Sequence, residues 1–325
     1  MKSISNPIYC DPFDGSELIS EQGGYRNKLS GDLYPIVNNI PRFVTKEDYA
    51  ENFGFQWNRF SKTQLDSFSK TPITYTRLER CLNGHLDKIA GKLVLEAGSG
   101  AGRFTEILIS KKAVVHSFDL SNAVEANYSN NGGSDLLCLA QADIRCLPYK
   151  KEIYDCVICL GVVQHTPNPK ESICKLYEML KPGGILVFDH YLFKLRNVLP
   201  PPIGVASIVY RRLVLLLPQK HRFAAVSAIV KFFFPIHWFL RNTHYLPKIL
   251  RRISPVIFYF GALSLKSKEQ YLDWALLDTY DCLTDFYKHH RSLNRIKKYL
   301  VDLGAENIIV RKDGNGVEAF CQKAV

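Results

Sequence analysis

One short stretch constrains the fold of this chain more than any other: an apolar run passes directly into a glycine-rich loop and then into a helix. Residues 93–95 predict a buried strand, and the strand ends on the acid Glu96. The loop glycines are Gly98, Gly100 and Gly102, and apolar residues recur at helical spacing after them. Small residues let the backbone approach a ligand, and the free amides of a helix N-terminus face it. The stretch therefore predicts a nucleotide-binding corner of an α/β sheet.

The spacing of the glycines differs from that of a dinucleotide-binding loop. A dinucleotide fingerprint would have its third glycine at position 103, which is Arg103. A nicotinamide-dependent oxidoreductase therefore stays an alternative that the loop itself disfavours.

Acids follow the next two predicted strands. The second strand, 113–119, ends on Asp119, where a carboxylate would accept two hydrogen bonds from a ribose. The alternative is an acid that caps the helix beginning near Ser121. After the third strand, 136–140, Asp143 could reach the exocyclic amine of an adenine while Ile144 covers its face, or Asp143 could be a plain turn residue.

Further strands complete the predicted sheet. Residues 154–160 and 185–189 predict a fourth and a fifth strand, so that strands and helices alternate as in a doubly wound parallel sheet. A terminal hairpin at 307–311 and 317–321 would add two more, the final one antiparallel, to give a seven-stranded Rossmann-like α/β fold. In such sheets the ligand lies at the carboxyl ends of the strands, where the strand order reverses. Cys156 and Cys159 lie inside the fourth strand, so no metal site is predicted there.

Taken together, these motifs resemble the class I S-adenosylmethionine-dependent methyltransferases, and within them the methyltransferase type 11 group. The resemblance rests on Glu-x-Gly-x-Gly-x-Gly at 96–102, on Asp119, on Ala-Asp at 142–143, on the loop 161–169 and on Leu-Lys-Pro-Gly-Gly at 180–184. It covers about residues 50–191 and 270–325, and it implies S-adenosylmethionine as the cofactor. The residues implied to bind the cofactor are Glu96, Ala97, Gly98, Ser99, Gly100, Gly102, Asp119, Leu120, Asp143, Ile144 and Gly161.

The resemblance also implies where each part of the cofactor lies. Glu96 and the loop backbone would hold the methionine portion, Asp119 the ribose, and Asp143 with Ile144 the adenine. Gly161 would lie near the sulfonium and His165 near the departing methyl group.

In-line methyl transfer needs mainly the alignment of the acceptor atom with the methyl group, but an oxygen acceptor must also lose its proton. His165 is the first candidate for the base because it ends the fourth strand and an imidazole titrates near neutrality. His190 and Tyr191 are the next candidates, and the alternative for His165 is a histidine that only anchors its loop.

The aromatic segment 52–60 predicts either a lid over the cofactor or a helix that buries its rings. Gln56 and Trp57 from this segment, and Tyr287 and His290 near the C-terminus, are expected to line the acceptor pocket.

Three regions are expected along the chain: a small β-rich lobe at 1–45, a methyltransferase domain at 46–191 and 269–325, and a helical insert at 192–268. The lobe resembles the zinc-ribbon modules that precede some methyltransferases. Paired cysteines would be needed to hold zinc, and only Cys10 is present, so we expect a degenerate lobe without metal.

The insert holds all of the excess positive charge of the chain. The net charge is +11, yet residues 192–268 contain thirteen Lys or Arg and no Asp or Glu. Lys231 and Pro235 interrupt its longest apolar stretch, so no membrane-spanning helix is predicted. The insert is expected either to cap the acceptor pocket with a solvated basic face or to touch anionic lipid as well. No nucleic-acid-binding module is recognisable.

The sequence therefore predicts methyl transfer from S-adenosylmethionine to a small-molecule, glycan-linked or lipid-linked acceptor, at oxygen. The alternatives are a catalytically silent, membrane-associated binding protein that keeps the fold, and the oxidoreductase. Nine cysteines without a recognisable secretory segment favour reduced thiols and a cytoplasmic protein, which would lie peripherally at the inner face of the membrane if the insert touches lipid.

Overall fold

The computed structural model describes residues 9–44, 50–243 and 245–325, and these form two compact units. The first contains the chain up to Ser61, Thr74–Leu192 and Tyr287–Val325, and the second contains Lys62–Ile73 and Phe193–Phe286. The longer segment of the second unit, Phe193–Phe286, thus begins beside the predicted start of the insert and continues past its predicted end at 268. The predicted boundary between residues 45 and 46 lies outside the described residues.

The strands of the described residues, in chain order, are β1 Ile19–Glu21, β2 Gly24–Arg26, β3 Leu33–Val37, β4 Ile40–Pro41, β5 Leu93–Ala97, β6 Val114–Asp119, β7 Leu137–Gln141, β8 Tyr154–Cys159, β9 Leu180–Tyr191, β10 Glu306–Arg311 and β11 Gly316–Gln322. The helices are α1 Glu51–Arg59, α2 Asp66–Ser69, α3 Ile73–Cys81, α4 Arg103–Ser110, α5 Ala123–Asn131, α6 Pro169–Glu178, α7 Ser207–Leu216, α8 Gln219–Leu240, α9 Leu246–Leu250, α10 Lys268–Thr284 and α11 Leu293–Asp302.

The N-terminal residues form a small antiparallel sheet in the order β1-β2-β3-β4, as the turn-rich sequence predicted. The amide of Phe43 donates a 2.8 Å hydrogen bond to the carbonyl of Gln141 at the end of β7. Tyr9, Tyr34 and Phe43 are buried in the same apolar cluster as Leu95 of β5. This small sheet therefore shares a core with the sheet that follows.

Polar side chains hold two turns of the small sheet together. The side-chain amide of Asn27 donates to Oδ2 of Asp11 (2.9 Å) and to Oδ2 of Asp14 (3.0 Å). Its carbonyl oxygen accepts from the amides of Leu29 and Ser30. Oδ1 of Asp11 accepts from two amides of its own turn in the same way. Asn27 is thus the buried link between the turns at 11–14 and 27–30.

The main sheet has seven strands in the order β10-β11-β9-β8-β5-β6-β7. β5 to β9 run parallel, and β11 runs antiparallel to both of its neighbours. This confirms the predicted seven-stranded, doubly wound fold with an antiparallel last strand. Chain order reverses between β5 and β8, so the carboxyl ends of these two strands mark the expected ligand site.

The central strands are buried on both faces, which explains their nearly continuous apolar sequence. Leu95, Val157 and Phe188 pack in the cluster on one face, while Val94, Ile158 and Val187 pack on the other. The final helix, α11, is capped by Ser292, whose hydroxyl accepts from the amide of Arg295. It buries Ile296 and Leu300.

The second unit is helical and is built around α7, α8 and α10. Its core contains Val230 and Phe234 of α8 and Trp274 of α10. α8 continues for 22 residues through Lys231 and Pro235, and it is long and apolar enough, by length and composition, to cross a membrane. The expectation that these two residues interrupt such a helix was therefore wrong: Lys231 is exposed to solvent, and the single proline removes only one backbone donor.

Candidate active site

The glycine loop connects β5 to α4 where it was predicted, and two of its glycines are needed for steric reasons. Gly98 has φ +74° and Gly102 has φ +84°, both in the region that favours glycine. A Cβ atom at Gly98 would overlap the side chain of Val162, and one at Gly102 would overlap that of Asn127. The loop backbone is therefore held close to both neighbouring segments.

Glu96, at the end of β5, has one carboxylate oxygen satisfied and one without a partner. Oε2 accepts hydrogen bonds from the hydroxyls of Thr105 (2.5 Å) and Ser117 (2.8 Å). Oε1 is buried and has no hydrogen-bond partner in the described part of the chain. Burial raises the pKa of Glu96 to about 7, against the lowering effect of the two hydroxyls. Oε1 is thus suited to the ammonium group of a ligand, which would restore the charged carboxylate.

Within the loop, the hydroxyl of Ser99 is likewise buried and has no hydrogen-bond partner among the described residues. Ala97, just before the loop, is buried within β5. Buried polar groups are normally hydrogen-bonded, so unpaired atoms beside a glycine loop fit a polar ligand such as the methionine portion of S-adenosylmethionine.

Asp119 ends β6 with its carboxylate fixed in orientation. Its Oδ2 accepts from the amide of Gly100 (2.9 Å), and its Oδ1 accepts from the amide and the hydroxyl of Ser121 (2.9 and 2.7 Å). Burial raises the pKa of Asp119, while these hydrogen bonds lower it. A carboxylate accepts about four hydrogen bonds, so after these three it can still receive one more on Oδ2, from a ribose hydroxyl. The carbonyl of Leu120, next in sequence, accepts from the side chain of Gln141.

Asp143 lies after β7 as predicted, but both of its carboxylate oxygens bind the guanidinium of Arg145 (2.6–3.1 Å). An adenine amine would have to share this carboxylate with Arg145. Ile144, between the two, is buried. Arg145 was not predicted as a partner of Asp143, although it lies only two residues after it.

Trp57 of α1 lies directly over the glycine loop. A Cβ atom at Gly100 would be 3.0 Å from its indole ring. The side chain of Asn58 donates to the carbonyl of Asn122 (2.9 Å), which ties α1 to the start of α5. Gln56 is buried, and its Oε1 has no hydrogen-bond partner in the described residues. The helix therefore packs against the domain, and Trp57 lies against the glycine loop; its role as a lid over the cofactor stays a prediction.

His165 lies in the loop after β8 with a defined tautomer. Its Nδ1 is 3.1 Å from the carbonyl oxygen of Tyr287, and its Nε2 is 3.3 Å from the hydroxyl of Tyr191. A carbonyl can only accept, so Nδ1 donates to it, and in the neutral imidazole Nε2 then carries the lone pair. The ring of Phe53 packs edge-on against the imidazole at 5.2 Å. This arrangement suits a general base.

The structure brings together three of the other predicted residues with His165. Tyr191 lies between His165 and His290, with ring centroids 5.3 and 5.7 Å away. Tyr287 contributes its backbone carbonyl, and its ring stacks on His289.

His190 is placed differently from Tyr191, since neighbouring strand residues point to opposite faces. Its side chain is fully buried, and burial lowers its pKa to about 4. The imidazole is therefore neutral near pH 7.

A buried ion pair that the sequence analysis missed supports the turn after β8. Asp189 of β9 binds the guanidinium of Arg77 from α3, and its Oδ1 accepts the amide of Gly161 at 2.6 Å. Gly161 has φ +83°, and a Cβ there would be 3.9 Å from the guanidinium of Arg103. Arg77 precedes Asp189 by 112 residues, and no local pattern predicts that pairing.

Comparison with known proteins agrees with this geometry. A family profile described as a methyltransferase domain matches residues 95–188. The chain is 33% identical over 107 residues to a ubiquinone biosynthesis O-methyltransferase of Pseudomonas entomophila, covering 31% of this chain and 45% of the relative. It is 30% identical over 104 residues to the protein of that name from Coxiella burnetii, covering 31% and 44%. The chain thus spans less than half the length of each relative.

Among solved structures, a putative S-adenosylmethionine-dependent methyltransferase from Methanococcus maripaludis aligns with a TM-score of 0.46 and 14% identity, over 87% of this chain and 96% of that one. The family match covers the segment from β5 to β9. The same segment contains the glycine loop and the acids at the strand ends. Residues 95–188 therefore match a methyltransferase domain within a doubly wound α/β sheet.

Proposed function

We propose that this chain transfers the methyl group of S-adenosylmethionine to an oxygen atom of a small-molecule acceptor, with His165 as the general base. The single observation that carries the choice of oxygen is the tautomer of His165. An acceptor hydroxyl must lose a proton as its oxygen is methylated, and Nε2 of His165 has the lone pair to take it. The partial relatives are named as O-methyltransferases, which supports the same choice.

The cofactor side of the site fits the proposal. When bound, S-adenosylmethionine supplies a methyl group on a positively charged sulfur, so no metal is needed to activate it. Glu96 Oε1 and the hydroxyl of Ser99 are the buried atoms that would bind its amino acid portion. Asp119 would bind a ribose hydroxyl through a carboxylate that Gly100 and Ser121 already orient. Trp57 would shield the loop from water.

The residues of this chain then act on the acceptor. Its hydroxyl would donate a hydrogen bond to Nε2 of His165, which requires that hydroxyl to replace or join that of Tyr191. As the new O–CH₃ bond forms and the S–CH₃ bond breaks, the proton passes to Nε2 and leaves an imidazolium. The carbonyl of Tyr287 stabilises this cation through the Nδ1–H bond.

We further propose that the protein is attached peripherally at the inner face of the membrane, where the small-molecule acceptor could carry a lipid or glycan portion. The support is the charge of residues 192–268, thirteen cations without an acid. A cytoplasmic membrane surface is negatively charged and attracts such a segment.

The test is a methyl-transfer assay with methyl-labelled S-adenosylmethionine, using catechol and a bacterial total lipid extract as acceptor probes. Wild type should label at least one probe with an alkali-stable methyl ether. His165→Gln should bind S-adenosylhomocysteine as wild type does and lose about 10²–10⁴-fold in kcat. Equal kcat in the two proteins would contradict the assignment of His165. Binding of S-adenosylhomocysteine with no transfer to either probe would favour the silent binding protein instead.

A further inference from the structure

α8 is apolar on both of its faces, but only one of them is buried. The buried face consists of Val226, Val230, Phe234 and His237, spaced as on one side of a helix. It belongs to the core of the second unit, together with Trp274 of α10. Nε2 of His237 also lies 2.9 Å from the hydroxyl of Ser254, a buried contact. This side of the helix is therefore packed in the core of the second unit.

The opposite face of α8 is exposed and holds no acid. Its members, again at helical spacing, are Ala224, Ala228, Phe232, Pro235 and Phe239, and we call them the α8 face. Phe232 is 67% exposed and Phe239 is 82% exposed, two helical turns apart. Lys231 lies at the edge of the face. A helix that is apolar all round is found in cores and in membranes, and soluble surfaces rarely expose such a strip.

Neighbouring segments of the second unit repeat this pattern. α7 exposes Leu213 and Leu216, and the segment around α9 exposes Ile249 and Ile253. Exposed cations accompany them; they are Arg212, Lys220, Lys231, Arg251 and Arg252. Arg211 is not among them, because its guanidinium binds the carboxylate and carbonyl of Asp285. The exposed surface of this region is thus both apolar and cationic.

We infer that the α8 face is a membrane-docking face, which inserts Phe232 and Phe239 into the surface of an anionic bilayer while α8 lies in the plane of that surface. Charge selects this occupant: a second copy of the chain would bring two cationic surfaces together, whereas anionic headgroups complement them. Packing argues against α8 crossing the bilayer, because a membrane-spanning α8 would remove Val230, Phe234 and His237 from the core of the second unit. The inference deepens the membrane part of the proposed function and does not depend on the methyl transfer.

The first experiment is co-sedimentation of the full chain with vesicles of phosphatidylcholine containing about one third phosphatidylglycerol, against pure phosphatidylcholine. Wild type should bind the anionic vesicles, and higher salt should weaken that binding. Phe232→Ser/Phe239→Ser should weaken it by at least about tenfold, since each aromatic ring contributes through the burial of apolar surface. Arg251→Glu/Arg252→Glu should do the same by reversing charge.

Matched variants control for surface change alone. Phe13→Ser/Leu29→Ser removes two equally exposed apolar side chains from the N-terminal sheet, and Lys297→Glu/Lys312→Glu reverses two exposed cations outside the insert. Both should bind vesicles as wild type does. All variants should bind S-adenosylhomocysteine in calorimetry with unchanged affinity, which shows that they are folded and separates this test from that of the methyl transfer.

Several results would overturn the inference. They are binding of wild type to neither vesicle, equal binding of wild type to both vesicles, and binding of the α8-face variant like that of wild type. Resistance of the membrane-bound protein to carbonate extraction would mean that α8 crosses the bilayer. A lipid-free dimer of wild type that Phe232→Ser/Phe239→Ser converts to a monomer would mean that the face binds a second copy.

Discussion

The carbonyl oxygen of Tyr287 lies 3.1 Å from Nδ1 of His165 and so fixes which nitrogen of the ring accepts a proton. The two residues are 122 positions apart in sequence. Because the contact uses the backbone of Tyr287, it does not depend on the side chain at that position. The hydroxyl of Tyr191 lies at the other nitrogen, which is where an acceptor hydroxyl would have to bind.

This arrangement predicts different outcomes for two substitutions at the site. Tyr191→Phe keeps the ring that packs on His165 and removes only the hydroxyl, so Nε2 remains a base and kcat should change by less than about tenfold. His165→Gln removes the base and should lose far more. Steady-state methyl-transfer kinetics of the two variants give the comparison. A loss with Tyr191→Phe as large as that with His165→Gln would make the tyrosine a proton-transfer group in its own right.

Glu96 predicts a pH-dependent stability of the unliganded protein. The pKa of about 7 in the folded state lies above the ordinary value of 4.5, so the folded protein holds the proton more tightly than the unfolded chain. As pH rises from about 4.5 to 7 the free energy of unfolding should therefore fall, by roughly 2–4 kcal/mol from this group. Glu96→Gln should lack this decrease and be the more stable protein at pH 8.

Urea unfolding of both proteins between pH 5 and 8 measures the difference, with the exposed acid Glu306 changed to Gln as the control. Glu96→Gln should also bind S-adenosylhomocysteine more weakly, because the ammonium group of the ligand loses its carboxylate partner. Parallel pH profiles for Glu96→Gln and wild type would show that Glu96 is not the titrating group.

Arg77→Met tests the buried ion pair behind Gly161. The substitution leaves Asp189 fully buried without its cation, which should cost about 3–5 kcal/mol of folding stability. Lys111→Met, which removes the cation of an exposed pair with Asp87, should leave the free energy of unfolding nearly unchanged. Equal effects of the two substitutions on the free energy of unfolding in urea would mean that the buried Arg77 pair stabilises the fold no more than the exposed pair does.

Asn27→Ala tests the link between the two turns of the N-terminal sheet. It removes the amide shared by Asp11 and Asp14 and leaves buried Asp11 short of a donor, so we expect a loss of about 1–3 kcal/mol. Asn197→Ala, in the second unit, is a control for the loss of an amide elsewhere.

Treatment with a chelator should not shift the unfolding midpoint of wild type. A chelator-sensitive midpoint would instead indicate that a metal binds this sheet.

The fold could be predicted because its signals are local. The strand, glycine loop and helix from Leu93 to Ser110 are contiguous, Asp119 ends β6 and Asp143 lies just after β7, so regular alternation was enough to place them at one edge. His165 and Tyr191 come together because His165 follows β8 and Tyr191 ends the neighbouring strand β9. The path of α8 was harder to predict, because a single proline and lysine are compatible with an unbroken helix when neighbouring helices bury one side of it.

The rest depends on contacts between distant residues. Arg77 and Asp189, or Tyr287 and His165, meet only once the sheet is formed, and neither pair has a spacing that marks it. The ion pair between Arg145 and Asp143 is local, since the two are two residues apart, but the family motif includes the acid alone. Packing likewise decided that α10 belongs with the helices of the second unit.

The most direct test of the central claim is calorimetric titration of the purified chain with S-adenosylhomocysteine, beside NADH. We expect the chain to bind the adenosyl ligand alone. Asp119→Ala should weaken this binding by about 1.5–3 kcal/mol through loss of the ribose hydrogen bond, whereas Asp135→Ala, an exposed acid away from the loop, should not. Failure to bind S-adenosylhomocysteine, or binding of NADH in its place, would contradict the account.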